Sequence, residues 1–295
     1  MDAKREGWLK ILWRLFYPLF LYMGIIMVVR FIISLILGMK VLIDSGMMAG
    51  MSFQQITVKV MDLYLGVAYY ETIVSAMIAI PFLYFFFWRD KKGRMAMNEE
   101  VRYCRATFME YVLLGMVAFG ACIGVNNLFL GSGLVEIDPA YQQVREILYS
   151  APLAIQLAGT GLIAPLCEEL IFRGLLHNRL KEYTPVKTAC ILSALAFAVY
   201  HGNMVQGMYA AVLGFLMAYV YEKYHSFLAP FLFHATANTV AVLITETEWF
   251  DFLYVNKAMV LLSGLLGIVV MVLGVRIIRD TVKLDPENPA SKVEL

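Results

Sequence analysis

The segment Ala164-Pro165-Leu166-Cys167-Glu168-Glu169-Leu170-Ile171-Phe172-Arg173-Gly174 sets two adjacent carboxylates at the end of the uncharged run Ile147–Cys167. On a helix, Glu169 and Arg173 are four apart, share a face and stand in the favourable order for an ion pair. Glu168 points about 100° away from Glu169, so that arginine does not serve it. The expected division of labour is a Glu169–Arg173 pair that stiffens the helix and a Glu168 left as an unpaired acid. In a low-dielectric site such a carboxyl suits general acid–base work near neutrality. Taken alone, the two glutamates are read first as marking the boundary of an apolar segment.

Two more motifs accompany it. Phe197-Ala198-Val199-Tyr200-His201 closes one apolar run, and His234-Ala235-Thr236-Ala237-Asn238 lies inside another. His234 and Asn238 are four apart and face the same partner. Residues 168 and 201 are equidistant from the turn at Tyr183-Thr184-Pro185, so an antiparallel hairpin brings Glu168 and His201 to one depth. A single buried histidine is usually a satisfied core residue. One glutamate, two histidines and an asparagine on three helices instead form a candidate hydrolytic centre.

The elements that must position these residues are membrane helices. Of 295 residues, 61% are apolar and 16% charged, where soluble domains average about 45–50% and about 25%. That balance excludes a soluble enzyme, a disordered chain and a disulfide scaffold. Cys104, Cys122, Cys167 and Cys190 show no zinc or disulfide spacing, and no basic stripe points to nucleic acid. A span needs about 20 apolar residues. Uncharged runs place spans at Leu15–Val29 extended to Gly38, Thr72–Trp88 with a stretch from Leu63, Tyr111–Val135, Ile147–Cys167, Tyr224–Thr245 and Ala258–Val275. Thr188–Tyr221, broken at His201-Gly202-Asn203, supplies two more, although its 34 residues fall short of the roughly 40 that two spans require. The fold class is therefore all-α, a polytopic bundle of about eight helices, and the first run is too long for a cleaved signal peptide.

Lys4, Arg5, Lys10 and Arg14 begin an alternation of loop charge. Arg89–Arg105, Arg173–Lys187 and Arg276–Lys292 continue it, so both termini are expected in the cytoplasm. The levels of His201 and His234 match only if the hairpin after Glu168 projects into the cytoplasm or the last motif's span tilts. Asp138-Pro139 reads as the N-cap and first residue of a short external helix. Arg14 and Arg30 are expected to snorkel, Glu71 to have a structural role, and His177 and His225 to sit at the cytoplasmic boundary. The expected divisions are 1–135 (helices 1–3), 136–282 (catalytic core and last helix) and 283–295 (polar cytoplasmic tail).

In Glu168/Glu169/Arg173, Phe197/His201 and His234/Asn238 the chain resembles the CPBP (Abi, CAAX prenyl protease 2-like) family of intramembrane endopeptidases, over about Ala151–Ile244. The resemblance implies peptide-bond hydrolysis in a cavity open to the cytoplasmic side. Glu168 and His201 would activate water, His234 and Asn238 would stabilise the oxyanion, and Glu169, Arg173 and Phe197 would support them. The family is described both as metalloproteases and as metal-free glutamic proteases. Glu168, His201 and His234 have the composition of a His₂Glu zinc site, but no H-E-x-x-H pair occurs and Asn238 has a ready role as a donor. The metal-free reading is favoured. The expected partners are the lipid bilayer and a membrane-anchored peptide or protein substrate, in a bacterial cytoplasmic membrane. A non-catalytic immunity or scaffold protein is the alternative. A proton-coupled transporter is a further one, disfavoured by the missing inverted repeat.

Overall fold

The computed structural model describes residues 7–44, 52–96 and 106–283. Among these the chain is all-α: α1 Trp8–Asp44, α2 Phe53–Leu65, α3 Ala68–Ala96, α4 Phe108–Ser132, α5 Pro139–Leu148, α6 Leu153–Leu180, α7 Val186–Tyr200, α8 Met204–Tyr224, α9 Leu228–Glu246 and α10 Lys257–Thr281. Seven of the described helices are long and apolar enough to span a membrane, which makes the chain an integral membrane protein. The eighth expected span, α7, has 15 residues, about 22 Å at 1.5 Å per residue. The shortfall noted in the 34-residue run falls entirely on it. Lys4, Arg5, Arg102, Arg105, Lys292 and the expected tail beyond Lys283 lie outside the described residues.

The fourth expected span is displaced. Ile147–Cys167 was bounded by charge, yet α6 starts at Leu153 and continues to Leu180, so Glu168 and Glu169 stand just past its middle. The helix continues because its charges have partners. Arg179 bonds Asp90 of α3 at 2.7 Å and Tyr17 of α1 at 2.8 Å. Lys181 reaches Glu222 at the end of α8 at 2.6 Å, and Glu182 meets Arg14 of α1 at 2.5 Å. His177 is not a boundary residue: it is fully buried, with Nε2 2.8 Å from Glu222 and Nδ1 3.4 Å from Ser193 of α7. Arg14 and Arg30 do not simply snorkel either. Arg30 donates to the buried Glu71 at 3.0 Å, and the Tyr64 hydroxyl closes on the same carboxylate, which ties α1, α2 and α3 together.

The short helix α5 forms as expected, with Asp138 at its N-cap accepting from the Tyr141 amide at 3.2 Å. The other Asp138 oxygen accepts from the Val205 amide of α8 at 3.0 Å, so one carboxylate caps two helices. These amides, Val205 foremost, hold its carboxyl below the usual aspartate range. Because the folded group binds its proton less readily than the unfolded one, the clamp is complete at neutral pH. It is lost as pH falls below the ordinary aspartate range.

The α4–α10 contact is a glycine seam that the charge-based reading passed over. Gly120 and Gly124 have the G-x-x-x-G spacing that lets membrane helices approach closely. A Cβ on Gly267 would lie 2.5 Å from the Gly124 amide nitrogen and 2.7 Å from the Gly120 carbonyl oxygen. Asn127 adds polar adhesion by donating to Ser263 at 2.8 Å. Gly267→Ala should therefore force the helices apart, at about 1–3 kcal/mol by the usual cost of overpacking. Gly115→Ala on α4, where nothing lies within 4 Å, should not. Thermal unfolding of both variants in detergent checks this, and equal midpoints would show that the seam carries no packing strain.

Candidate active site

Three helices bring the motif residues together. α6 contributes Glu168, Glu169 and Arg173, α7 contributes Phe197 and the His201 that caps its end, and α9 contributes His234 and Asn238. Glu169 and Arg173 form a pair inaccessible to solvent, Arg173 Nη1 donating to Glu169 Oε1 at 2.8 Å. Arg173 Nη2 donates to the Gly214 carbonyl of α8 at 2.9 Å, and its guanidinium lies 4.6 Å from the centre of the Phe197 ring. Burying an arginine side chain this deeply requires all three contacts, since an uncompensated charge costs several kcal/mol.

Glu169 Oε1 also accepts from His234 Nδ1 at 2.9 Å. With its proton held on Nδ1, the imidazole turns Nε2 towards Glu168, 3.6 Å from Oε2. The chain of contacts runs Arg173, Glu169, His234, Glu168. The Glu169–Arg173 pair is present as expected, but Glu168, expected without a partner, has His234 within ion-pair distance, and His234 is the bridge between the two glutamates.

His201 is oriented in the same fashion by backbone. Its Nδ1 donates to the Phe197 carbonyl at 2.8 Å, which leaves Nε2 as the acceptor of the neutral ring. Phe197 packs edge-on against both imidazoles, with centroids 4.7 Å from His201 and 5.7 Å from His234. It is the hub that spaces Arg173 from the two histidines. Glu168, His201, His234 and Asn238 all line one cavity of about 470 Å³.

Two departures from the sequence reading concern this cavity. The Asn238 amide is partly committed, donating from Nδ2 to the Thr160 carbonyl at 3.0 Å. That carbonyl belongs to a π-helical turn, Gly159–Ile163, and a second π segment, Leu170–His177, follows Glu169. Wide turns of this kind displace the regular i→i+4 bonds and recur at functional sites. The Tyr69 hydroxyl of α3 fills the first one, accepting from the Thr160 amide at 3.1 Å. No sequence signal marked Tyr69 or Thr160. The second departure is direction. The cavity extends from Glu168 to Tyr141 and Arg145 of α5 and to Tyr149 at its C-cap, the end of the bundle opposite the ion pairs of Arg14, Arg179 and Lys181. The basic cluster expected at the cytoplasmic face is therefore not where the cavity leads.

Glu168, His201 and His234 offer the donor types of a His₂Glu zinc site. Glu168 and His234 are close enough to share an ion, but among the described residues no three His, Cys, Asp or Glu side chains converge as ligands. His201 lines the cavity without joining the pair, so the side chains as arranged do not fit a His₂Glu site.

Comparison with known proteins places this geometry. Residues 150–240 match the family described as Type II CAAX prenyl endopeptidase Rce1-like. A protein of Bacillus subtilis (strain 168) named "Putative membrane peptidase YdiL" is 25% identical over 103 residues, which cover 35% of this chain and 41% of that protein. "UPF0177 protein YxdF" of Lactococcus lactis subsp. lactis (strain IL1403) is 27% identical over 129 residues, 43% of this chain and 71% of that one. No solved structure matches. The matched segment holds all three motifs, from Glu168 to Asn238, and over residues 150–240 this integral membrane protein is similar to that endopeptidase family.

Proposed function

We propose that the chain is an intramembrane endopeptidase that hydrolyses a membrane-associated peptide without a metal ion. The observation that carries the reading is the buried relay from Arg173 through Glu169 to His234, ending 3.6 Å from Glu168 in the cavity. With His234 as imidazolium, its charge and that of Arg173 balance the two carboxylates. Glu168 takes a proton from water while His201 Nε2 accepts the other water hydrogen. The water oxygen bonds to the scissile carbonyl carbon, and the carbonyl electrons move onto oxygen. His234 Nε2–H donates to that oxyanion, together with the Asn238 N–H not committed to Thr160. When the carbonyl re-forms, the C–N bond breaks and Glu168 returns its proton to the departing amine.

Glu168→Gln keeps the shape and removes the base. Cleavage of a peptide library by detergent-purified protein should fall by about 10²–10⁴-fold. Elemental analysis of the same preparation should find full activity without bound metal. Stoichiometric zinc that is lost on chelation together with activity, and that restores activity on return, would reassign Glu168, His201 and His234 as ligands.

Arg173→Ala should act first on stability. It leaves Glu169 buried without its cation, a change worth about 3–5 kcal/mol, so the melting temperature and activity should fall together. Lost cleavage with unchanged melting would give Arg173 a direct role towards substrate.

We further propose that the cavity is served from outside the cytoplasm. Lys10, Arg14, Lys91, Lys92, Lys181, Lys187 and Lys223 gather at the end of the bundle away from α5, and basic ends stay in the cytoplasm. In a Cys104→Ser background, Gln143→Cys on the exposed side of α5 should react with a membrane-impermeant maleimide in intact cells. Reaction only after permeabilisation would put α5 and the cavity on the cytoplasmic side.

A further inference from the structure

We infer that Arg145 anchors a subsite for a carboxylate of the bound peptide, an inference that rests on the endopeptidase reading above. Apart from the two imidazoles, the cavity is lined by two ionisable charges, Glu168 in its depth and Arg145 on α5. Arg14 meets Glu182, Arg30 meets Glu71, Arg173 meets Glu169 and Arg179 meets Asp90. Among the described residues no carboxylate pairs with Arg145. Its guanidinium is held 6.0 Å from the ring centres of Tyr141 and of Tyr149, both of which line the cavity. The two rings flank the cation, and among the described residues its N–H fork makes no hydrogen bond.

A guanidinium in that state is built for an anion. Arginine presents two parallel N–H donors that match a carboxylate, and such charge-assisted bonds are about twice as strong as neutral ones. Half-buried beside an apolar cavity, the pair is screened less than on an open surface. The walls between Arg145 and Glu168 are apolar or aromatic, including Ile73, Leu148, Leu213 and Phe233. The volume of about 470 Å³ takes a few residues and no folded domain. The ligand that satisfies all of this is a short apolar peptide segment with a carboxylate at one end of the bound stretch, its scissile bond at Glu168 and its anion on Arg145. Asp138, which caps both α5 and α8, holds that anchor over the cavity.

The test uses the full chain in detergent and two matched libraries of quenched fluorescent peptides of apolar residues, one ending in a free acid and one in an amide. A third, amidated library carries a single glutamate and separates an acidic side chain from a chain terminus as the source of the carboxylate. The wild type should favour at least one carboxylate library over the plain amide by about 10-fold in kcat/KM, through KM. In Arg145→Gln that ratio should fall towards one, and Arg145→Lys should restore part of it. Melting should not change, because Arg145 has no protein carboxylate to abandon. Binding of the same peptides to the Glu168→Gln protein, read by fluorescence polarisation, repeats the comparison without cleavage. Arg145-dependent binding with no cleavage by wild type would remove the endopeptidase reading and keep the subsite. Equal carboxylate-to-amide ratios in wild type and Arg145→Gln would overturn the inference. So would Arg145-dependent affinity for phosphatidylglycerol nanodiscs with none for carboxylate peptides, which would make the ligand a lipid headgroup.

Discussion

The structure depends on a charge that has nowhere to go. Glu169 is fully buried in the interior of a membrane bundle, where an unpaired carboxylate is prohibitive. One of its oxygens therefore collects both Arg173 and His234. Each partner then imposes its own requirement. Arg173 must reach the Gly214 carbonyl, and a Cβ there would stand 3.1 Å from its Nη2, so α8 approaches α6 only through a glycine. His234 must lie level with the middle of α6, which fixes the depth of α9. Phe197 must cover the guanidinium, which fixes the rotation of α7 and, through its carbonyl, the tautomer of His201. The geometry of the candidate site and the bundle packing are consequences of the same pairing.

The three motifs were legible in the sequence because their signals are local. Four-residue spacings put Glu169 with Arg173 and His234 with Asn238, and the symmetric position of Tyr183-Thr184-Pro185 put Glu168 near His201. The limits of α6 were not legible. Span reading equates the end of an uncharged run with the end of a membrane helix, and it fails where charges are paired inside the protein. Glu168 through Arg179 ended the run, yet Glu169, Arg173, His177 and Arg179 are all buried. The partners that keep them there, Asp90, Glu222 and Gly214, lie dozens of residues away along the chain. No periodicity connects them. The π-helical turns around the site were equally invisible: Tyr69 and Asn238 bond backbone groups of the first, and Asn178 bonds carbonyls of the second.

Arg145 shows a different failure. In a tally of loop charges it is one cation on a poorly basic side, useful only for orientation. The chemistry proposed for it appears once α5 folds back over the cavity and its neighbours among the described residues prove to be two tyrosines, with no paired acid. Glu71 is the reverse case: it looked anomalous in an apolar run, and Arg30 with Tyr64 accounts for it as a clamp between α1, α2 and α3.

The two ends of the bundle are held in different ways, and that asymmetry bears on how a peptide could enter. At the basic end the α6–α7 hairpin is fixed by three ionic contacts, from Arg14, Arg179 and Lys181, and by the hydrogen bond between His177 and Glu222. Opening that end would separate several buried or half-buried charges at once. At the other end α5 is held by the caps of Asp138, by ring contacts such as Tyr141 with Tyr209, and by little burial of its own, none of its residues being fully buried. Local opening costs least where few apolar contacts and exposed helical bonds must break. The relay at Glu169 is thus anchored from the rigid end, while the cavity it serves is bounded by the element that costs least to move. On the endopeptidase reading proposed above, displacing α5 would open a path to Glu168 without disturbing the charge pairing on which the site is built.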